Sequence, residues 1–265
     1  METILPTSLD EALEAVAAHP EATVLAGGTD LMVQVNYDHL RPSAVVGIRR
    51  VPELKVWTGS MIGAGVTFAD LEQGPITALA QAARTVGSPQ IRSVGTLGGN
   101  LGTASPAGDS LPVLAALDAE VLLASTSGER TMRWDEFITG PKQNALEEGE
   151  IIVGALLPNE LPPRQAFAKI GARNAMVIAV ASCCVVRSED GTTRIGLGSV
   201  GPTPIRTPRA EEMISAEAAP SPAALDELQR LVSEEVSPIT DHRSTEAYRR
   251  HAAGVLARRL LERIL

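Results

Sequence analysis

Two glycine-rich bends constrain this chain more than any other feature. The first is Ala26-Gly27-Gly28-Thr29-Asp30, placed where a short apolar strand ends and a helix begins. The second is a long block from Gly87 to Ser110, in which Gly95, Gly98, Gly99, Gly102 and Gly108 alternate with Thr96, Asn100, Thr103 and Ser105. Such segments carry too little side-chain bulk to build a core of their own. Glycine removes Cβ, so backbone can approach backbone or ligand closely. Short hydroxyls and amides then supply donors at fixed heights. At the first bend, free N–H groups and the positive end of a helix dipole converge, with Thr29 adding a hydroxyl. Two such cradles in one acidic chain suggest a ligand with two phosphates. Two tight structural turns are the alternative. A Walker loop is excluded, because no Gly-Lys-Ser/Thr ending follows.

The remaining chain must form a folded scaffold for these bends. Its 265 residues suit one large domain or two modest ones, and 44% are apolar. The net charge of −9 and the absence of a basic stripe exclude a nucleic-acid surface. No apolar run approaches the roughly 18 residues needed to cross a bilayer, and the N-terminal residues lack a signal-peptide pattern. A cytoplasmic location without membrane insertion is the expectation. Cys183 and Cys184 are adjacent, so they can neither form a disulfide framework nor hold a cluster alone. In a strand their side chains would point to opposite faces and pack in the core.

The opening reads as βαβ. Ser8 and Glu11 have capping-box spacing, and Leu9, Leu13 and Val16 form a helical stripe ended by Pro20. Strands are expected at Ala22 to Leu25 and Ala44 to Ile48, with a helix carrying Leu31, Met32 and Val35 between them, giving a small parallel sheet. From about Val56 the texture becomes α+β. A strand fragment falls at Met61 to Gly65, a helix at Ile76 to Val86, an apolar stretch at Leu111 to Leu117, and strands at Glu120 to Ala124 and Ile151 to Leu157. After a linker at Pro158 to Pro163 come strands at Phe167 to Ile170, Val177 to Val186 and Thr193 to Val200. Two closing helices carry Leu225, Leu228, Leu231 and Val232, then Tyr248, Ala252, Val255, Leu256 and Leu260.

Other signals are discounted. Gly196-Leu197-Gly198-Ser199-Val200-Gly201 matches a dinucleotide fingerprint literally, but Pro202, Pro204 and Pro208 forbid the helix it needs. His19, His39, His242 and His251 have no metal-ligand spacing, so no metal site is expected. Arg249, Arg250, Arg258, Arg259 and Arg263 read as a solvated helix face. Lys169 stands out as one cation within an apolar strand, Ala166 to Ile170. It reads either as a snorkelling edge lysine or as a cation beside an anion-accumulating ring. Arg173 is a weaker candidate nearby. Asp109 can accept from a ribose hydroxyl or an amino group.

These segments resemble the FAD-binding medium subunit of molybdenum hydroxylases, the carbon monoxide dehydrogenase and xanthine dehydrogenase group. The matching motifs are Ala26 to Asp30, Ser88 to Arg92 with Thr96 to Asn100, Ser105 to Asp109, Phe167 to Ile170, and Tyr248 to His251 with Arg258-Arg259. The resemblance implies an α+β fold: a two-part FAD-binding domain of the vanillyl-alcohol-oxidase (PCMH) type at 1–160, plus a C-terminal α+β domain at 161–265. The first domain would comprise a small βαβ part at 1–55 and a larger part at 56–160. The resemblance also implies that FAD is held non-covalently, since no histidine stands in the glycine turn. Its diphosphate would lie on Ala26, Gly27, Gly28, Thr29 and Asp30 and on Thr96, Gly98, Gly99 and Asn100. Thr103 and Asp109 would touch the cofactor, Ile152 would pack near flavin or adenine, and Lys169 would lie near the isoalloxazine. No side chain is required as a general acid or base. The implied partners are a [2Fe–2S] small subunit and a molybdopterin large subunit, in a dimer of heterotrimers. Electrons would pass from the clusters through FAD to an acceptor such as NAD or a quinone. A stand-alone FAD-dependent reductase or oxidase on the same fold is the alternative.

Overall fold

The computed structural model describes residues 2–174 and 176–265. The N-terminal part runs β1 (Glu2–Ile4), α1 (Leu9–Ala18), β2 (Thr23–Leu25), α2 (Leu31–Asn36) and β3 (Ala44–Gly47). Its three strands form a parallel sheet in the order β1-β3-β2. The parallel arrangement agrees with the pattern read from the sequence, but β1 was not anticipated. It has three residues and no apolar alternation, and only its pairing with Ala44 to Val46 makes it a strand. Ser8 caps α1 by accepting from Glu11 N–H at 3.2 Å, while the Glu11 carboxylate reaches back to Thr7 N–H at 2.8 Å rather than to Ser8. Helix α2 forms as expected, yet none of its residues is buried.

The middle part contains β4 (Trp57–Thr58), β5 (Met61–Gly63), α3 (Phe68–Glu72), α4 (Thr77–Arg84), α5 (Pro89–Arg92), α6 (Leu97–Thr103), α7 (Leu111–Ala116), β6 (Glu120–Ser125), β7 (Gly128–Arg133), α8 (Trp134–Phe137), β8 (Ile138–Gly140), β9 (Gln143–Asn144) and β10 (Ile151–Leu156). Five strands pair in the order β4-β5-β10-β6-β7. The apolar stretch at Leu111 is the helix α7, and it is buried along its whole length.

The C-terminal part begins with the antiparallel sheet β11 (Arg164–Ile170), β12 (Ala181–Arg187), β13 (Thr193–Gly198) and β14 (Ile205–Arg206), in sequential order. It ends with α9 (Pro208–Ser215), α10 (Pro222–Glu235) and α11 (Glu246–Ile264). The expected strand from Val177 begins only at Ala181, because 176–180 lie in no strand. Gly191, at φ +93°, turns the β12–β13 hairpin in the left-handed region that glycine tolerates. In β12 the two cysteines divide as their alternation requires. Cys184 faces the core under α4 and α7, and Cys183 faces the core under α10 and α11. The sheet therefore has a helical layer on each face. The glycines of the rejected fingerprint serve this packing: a Cβ on Gly196 would lie 1.9 Å from the Pro112 carbonyl oxygen.

The reading of the last helix as a solvated arginine face is wrong at Arg249. That side chain is buried, and it donates to Val180 O at 2.7 Å, Ser199 O at 2.9 Å and Asp241 Oδ1 at 2.7 Å. It shares the inward face with Ala252, Ala253 and Leu256 and neutralises carbonyls that strand ends leave unpaired. Arg259 and Arg263 are exposed as expected. Among the described residues, no helix is long and apolar enough to cross a membrane.

Candidate functional site

The two glycine bends meet. Gly27 packs onto the second bend so closely that a Cβ there would stand 1.9 Å from Val94 O and 3.0 Å from Gly95 Cα. A cleft of about 240 Å³ lies at this junction, lined by Ala26 and Gly27 on one side and by Ser93, Val94 and Thr96 on the other. Arg49 and Lys55, two exposed cations from the short turns after β3, also line it. Sequence reasoning missed both, since they belong to no motif and no periodic stripe.

The first bend keeps its donors unused. Gly28 adopts φ +73°, and Met32 N–H donates back to Gly28 O at 3.0 Å. The N–H groups of Gly27, Gly28, Thr29 and Asp30 donate to no described residue outside the regular elements. The Asp30 carboxylate accepts from Gln34 Nε2 at 2.7 Å across the first turn of α2.

The second bend is built differently. Thr96 caps α6, and its hydroxyl accepts from Gly99 N–H at 3.0 Å. Leu97 N–H donates to Val66 O at 3.0 Å, Gly98 N–H to Ala64 O at 2.8 Å and Asn100 N–H to Thr96 O at 3.1 Å. Most main-chain donors expected to face a ligand thus bind the protein. Gly98 is glycine because a Cβ would lie 2.5 Å from Ala64 Cβ, so its small size serves helix packing. Among the described residues, Thr96 N–H and Asn100 Nδ2 have no hydrogen-bond acceptor. Asn100 is held by Ser110, whose hydroxyl donates to Asn100 Oδ1 at 2.6 Å, and Gly108 leaves room for its amide. Thr103 sits half-buried at the end of α6. Ile152 is buried in β10, next to Gly102.

Lys169 and Asp109 lie elsewhere in the site and bind each other. Lys169 Nζ donates to Asp109 Oδ2 at 2.5 Å, Thr85 O at 3.0 Å and Val177 O at 3.1 Å. Both side chains are nearly inaccessible. Burial pushes the Asp109 carboxyl up to about 6, against the opposing pull of Lys169 and the nearby Thr85 hydroxyl. That hydroxyl donates to Ala82 O at 2.8 Å, which leaves Asp109 Oδ1 buried without a hydrogen-bond partner. Asp109 does accept from an amino group, one of the two options its type allowed, but the amine belongs to the protein.

Lys169 lines a second cleft of about 510 Å³ with Arg84, Arg92 and the loop residues Arg173, Met176 and Val177. Arg92 is paired with Glu72 at 3.0 Å. The two clefts share no lining residue, but Ser88 and Arg92 of one run directly into Ser93 and Thr96 of the other. Among the described residues, no group of three His, Cys, Asp or Glu side chains stands close enough to hold a metal ion.

The structure therefore offers a pocketed α+β scaffold, with unused main-chain amides at one bend and a buried ion pair at another. Two family models match the chain: "FAD binding domain in molybdopterin dehydrogenase" over residues 1–160 and "CO dehydrogenase flavoprotein C-terminal domain" over 166–264. The chain is 32% identical to the xanthine dehydrogenase FAD-binding subunit of Escherichia coli O157:H7, over 96% of this chain and 92% of that one. It is 34% identical to the nicotinate dehydrogenase FAD-subunit of Eubacterium barkeri, over 80% and 79%. A solved chain of carbon monoxide dehydrogenase from Hydrogenophaga pseudoflava superposes with a TM-score of 0.91 at 30% identity, over 100% of this chain and 96% of that one.

Proposed function

Since the chain belongs to the FAD-binding subunits of the molybdopterin dehydrogenases, we propose that it carries electrons between iron–sulfur clusters on one partner subunit and a soluble or membrane acceptor such as NAD or a quinone. It is the flavoprotein subunit of a multi-subunit oxidoreductase, a family trait that the relatives named above share. In the proposed assembly, a [2Fe–2S] small subunit and a molybdopterin large subunit complete a heterotrimer, two of which pair in the cytoplasm.

One observation carries the site assignment: the first bend holds a set of unused N–H groups, at Gly27, Gly28, Thr29 and Asp30, directly against the second bend. That set suits the diphosphate of FAD, because amide dipoles bind anions without a cationic side chain. Thr96 N–H and Asn100 Nδ2 extend the same line of donors. Gly98 and Gly99 keep α6 close to Ala64 and Thr96, Thr103 and Ile152 flank the end and side of α6, and Lys169, paired with Asp109 behind it, lines the larger cleft. Bound FAD supplies storage for two electrons with release one at a time. The chain positions the cofactor and sets its surroundings, and none of its side chains needs to exchange a proton with a substrate.

The test is purification of the full chain alone and with its partners. The proposal expects flavin absorption near 450 nm from the bound cofactor. It further expects bleaching by the complex's substrate only when the iron–sulfur and molybdopterin subunits are present. A colourless chain that takes up no added FAD refutes the site. Turnover of a substrate by the isolated flavin-loaded chain refutes the subunit role in favour of a stand-alone flavoenzyme.

A further inference from the structure

Helix α6 carries Asn100 and Thr103, yet its own sequence gives it little hold on its shape. Gly98, Gly99 and Gly102 fill three of its seven positions, and each glycine in a helix interior costs about 1 kcal/mol against alanine. A helix this short is marginal unless tertiary contacts fix it. The N-terminal end is fixed. Thr96 caps it, and the N–H groups of Leu97 and Gly98 donate to Val66 O and Ala64 O. At the other end the chain leaves through Ala104 at φ +46°, a left-handed conformation that alanine adopts only under restraint.

The restraint comes from residues 142–144, at the β8–β9 hairpin. Asn144 Nδ2 donates to Gly102 O at 2.7 Å, and Lys142 N–H donates to Ala104 O at 3.0 Å. The first of these bonds satisfies a carbonyl that a helix leaves open at its C-terminus. Asn144 is itself held in place. Its Oδ1 accepts from Leu146 N–H at 3.1 Å. The next residue, Ala145, donates its N–H to Phe137 O at 2.9 Å, and its carbonyl accepts from Arg130 Nη2 at 2.9 Å. Arg130 in turn donates to both carboxylate oxygens of Glu150, at 2.6 and 2.8 Å. Asn144 is half-buried and lines neither cleft.

From this geometry we infer that Asn144 is a positioning residue for the cofactor. Its amide pins the last turn of α6 and so fixes where Asn100 and Thr103 stand against bound FAD. The inference rests on the proposed FAD site and deepens it. Asn144→Asp isolates the donor. The new side chain keeps the size of the old one and the acceptor for Leu146 N–H, but it sets a carboxylate oxygen against Gly102 O where a donor stood.

The full chain is titrated with FAD by flavin fluorescence, and the visible circular dichroism of the flavin is recorded at saturation. Asn144→Asp is expected to weaken FAD about tenfold, the size of one lost hydrogen bond. It is also expected to change the flavin dichroism at saturation and to speed hydrogen exchange at amides 101–104 of the cofactor-free chain. Arg249→Met, which lowers stability from within α11, is the comparison and is expected to leave affinity and dichroism unchanged. Wild-type affinity, dichroism or exchange in Asn144→Asp, or the same dichroism change in Arg249→Met, overturns the inference and leaves the FAD site standing. Asn144→Ala, which removes donor and acceptor together, carries the same test if the carboxylate prevents folding. A wild type that takes up no FAD overturns the site and the inference with it.

Discussion

Replacing Gly27 by alanine tests the junction of the two bends most directly. The new methyl would sit 1.9 Å from the Val94 carbonyl oxygen and 2.6 Å from its carbonyl carbon, both backbone atoms that cannot rotate away. To reach ordinary contact the bends must separate by roughly 1.5 Å. Overpacking of this kind costs about 1–3 kcal/mol. Much of the separation falls on the amides that line the junction cleft, so a comparable loss in FAD binding is expected, on the order of 10- to 100-fold. The assay is a fluorescence titration of FAD paired with thermal unfolding of the cofactor-free chain. Gly102→Ala is the internal control. It lies in α6, its Cβ would meet only Ile152 Cδ1 at 3.5 Å, and alanine favours the helix by about 0.5–1 kcal/mol. If Gly27→Ala binds FAD as wild type does while Gly102→Ala does not, the bends do not cooperate in holding the cofactor and the reasoning fails.

Further expectations concern the buried polar groups. Folded Asp109, raised to about 6 from 3.8, keeps a proton that the unfolded chain has already released across that window. Stability should therefore fall as pH rises from about 4 to 6, and urea midpoints of Asp109→Asn should lack that slope. Arg249→Met takes the donor from two carbonyls, at Val180 and Ser199, while Asp241 keeps the N–H groups of Arg243 and Ser244, so a cost of about 2–3 kcal/mol is expected by urea unfolding, and Arg249→Lys should recover part of it. Burial pushes both the Cys183 and Cys184 thiols up. A thiol reagent at neutral pH should label neither in the native protein and both after denaturation.

What the sequence reveals here depends on how local the cause is. The split of Cys183 and Cys184 between two cores follows from strand alternation alone, and the αβ opening follows from Ser8, the Leu9–Leu13–Val16 stripe and the glycine turn. The glycine signal is legible but ambiguous. Gly27 and Gly98 both exist for close approach, yet Gly98 approaches Ala64 rather than a ligand, and only the tertiary contact tells which. Lys169 can be picked out as an odd cation in an apolar strand, but its partner is 60 residues away and no local pattern joins them. Arg249 occupies an inward helical position that spacing with Ala252, Ala253 and Leu256 could have exposed, had its charge not argued for solvent. In helix α2, predicted from Leu31, Met32 and Val35, Leu31 and Val35 are half-buried and Met32 is exposed.

The contact between α7 and β13 bears on how this chain can be cut or recombined. Gly196 lets the backbone of the second sheet rest on the Pro112 carbonyl, and Phe167, Cys184 and Val186 complete the hydrophobic filling around α7. A fragment stopped near residue 160 would bare the underside of that helix to water and aggregate. Chimaeras joined at the same place would inherit mismatched halves of one seam. The two regions can diverge in their outer surfaces, but along this line they must change together.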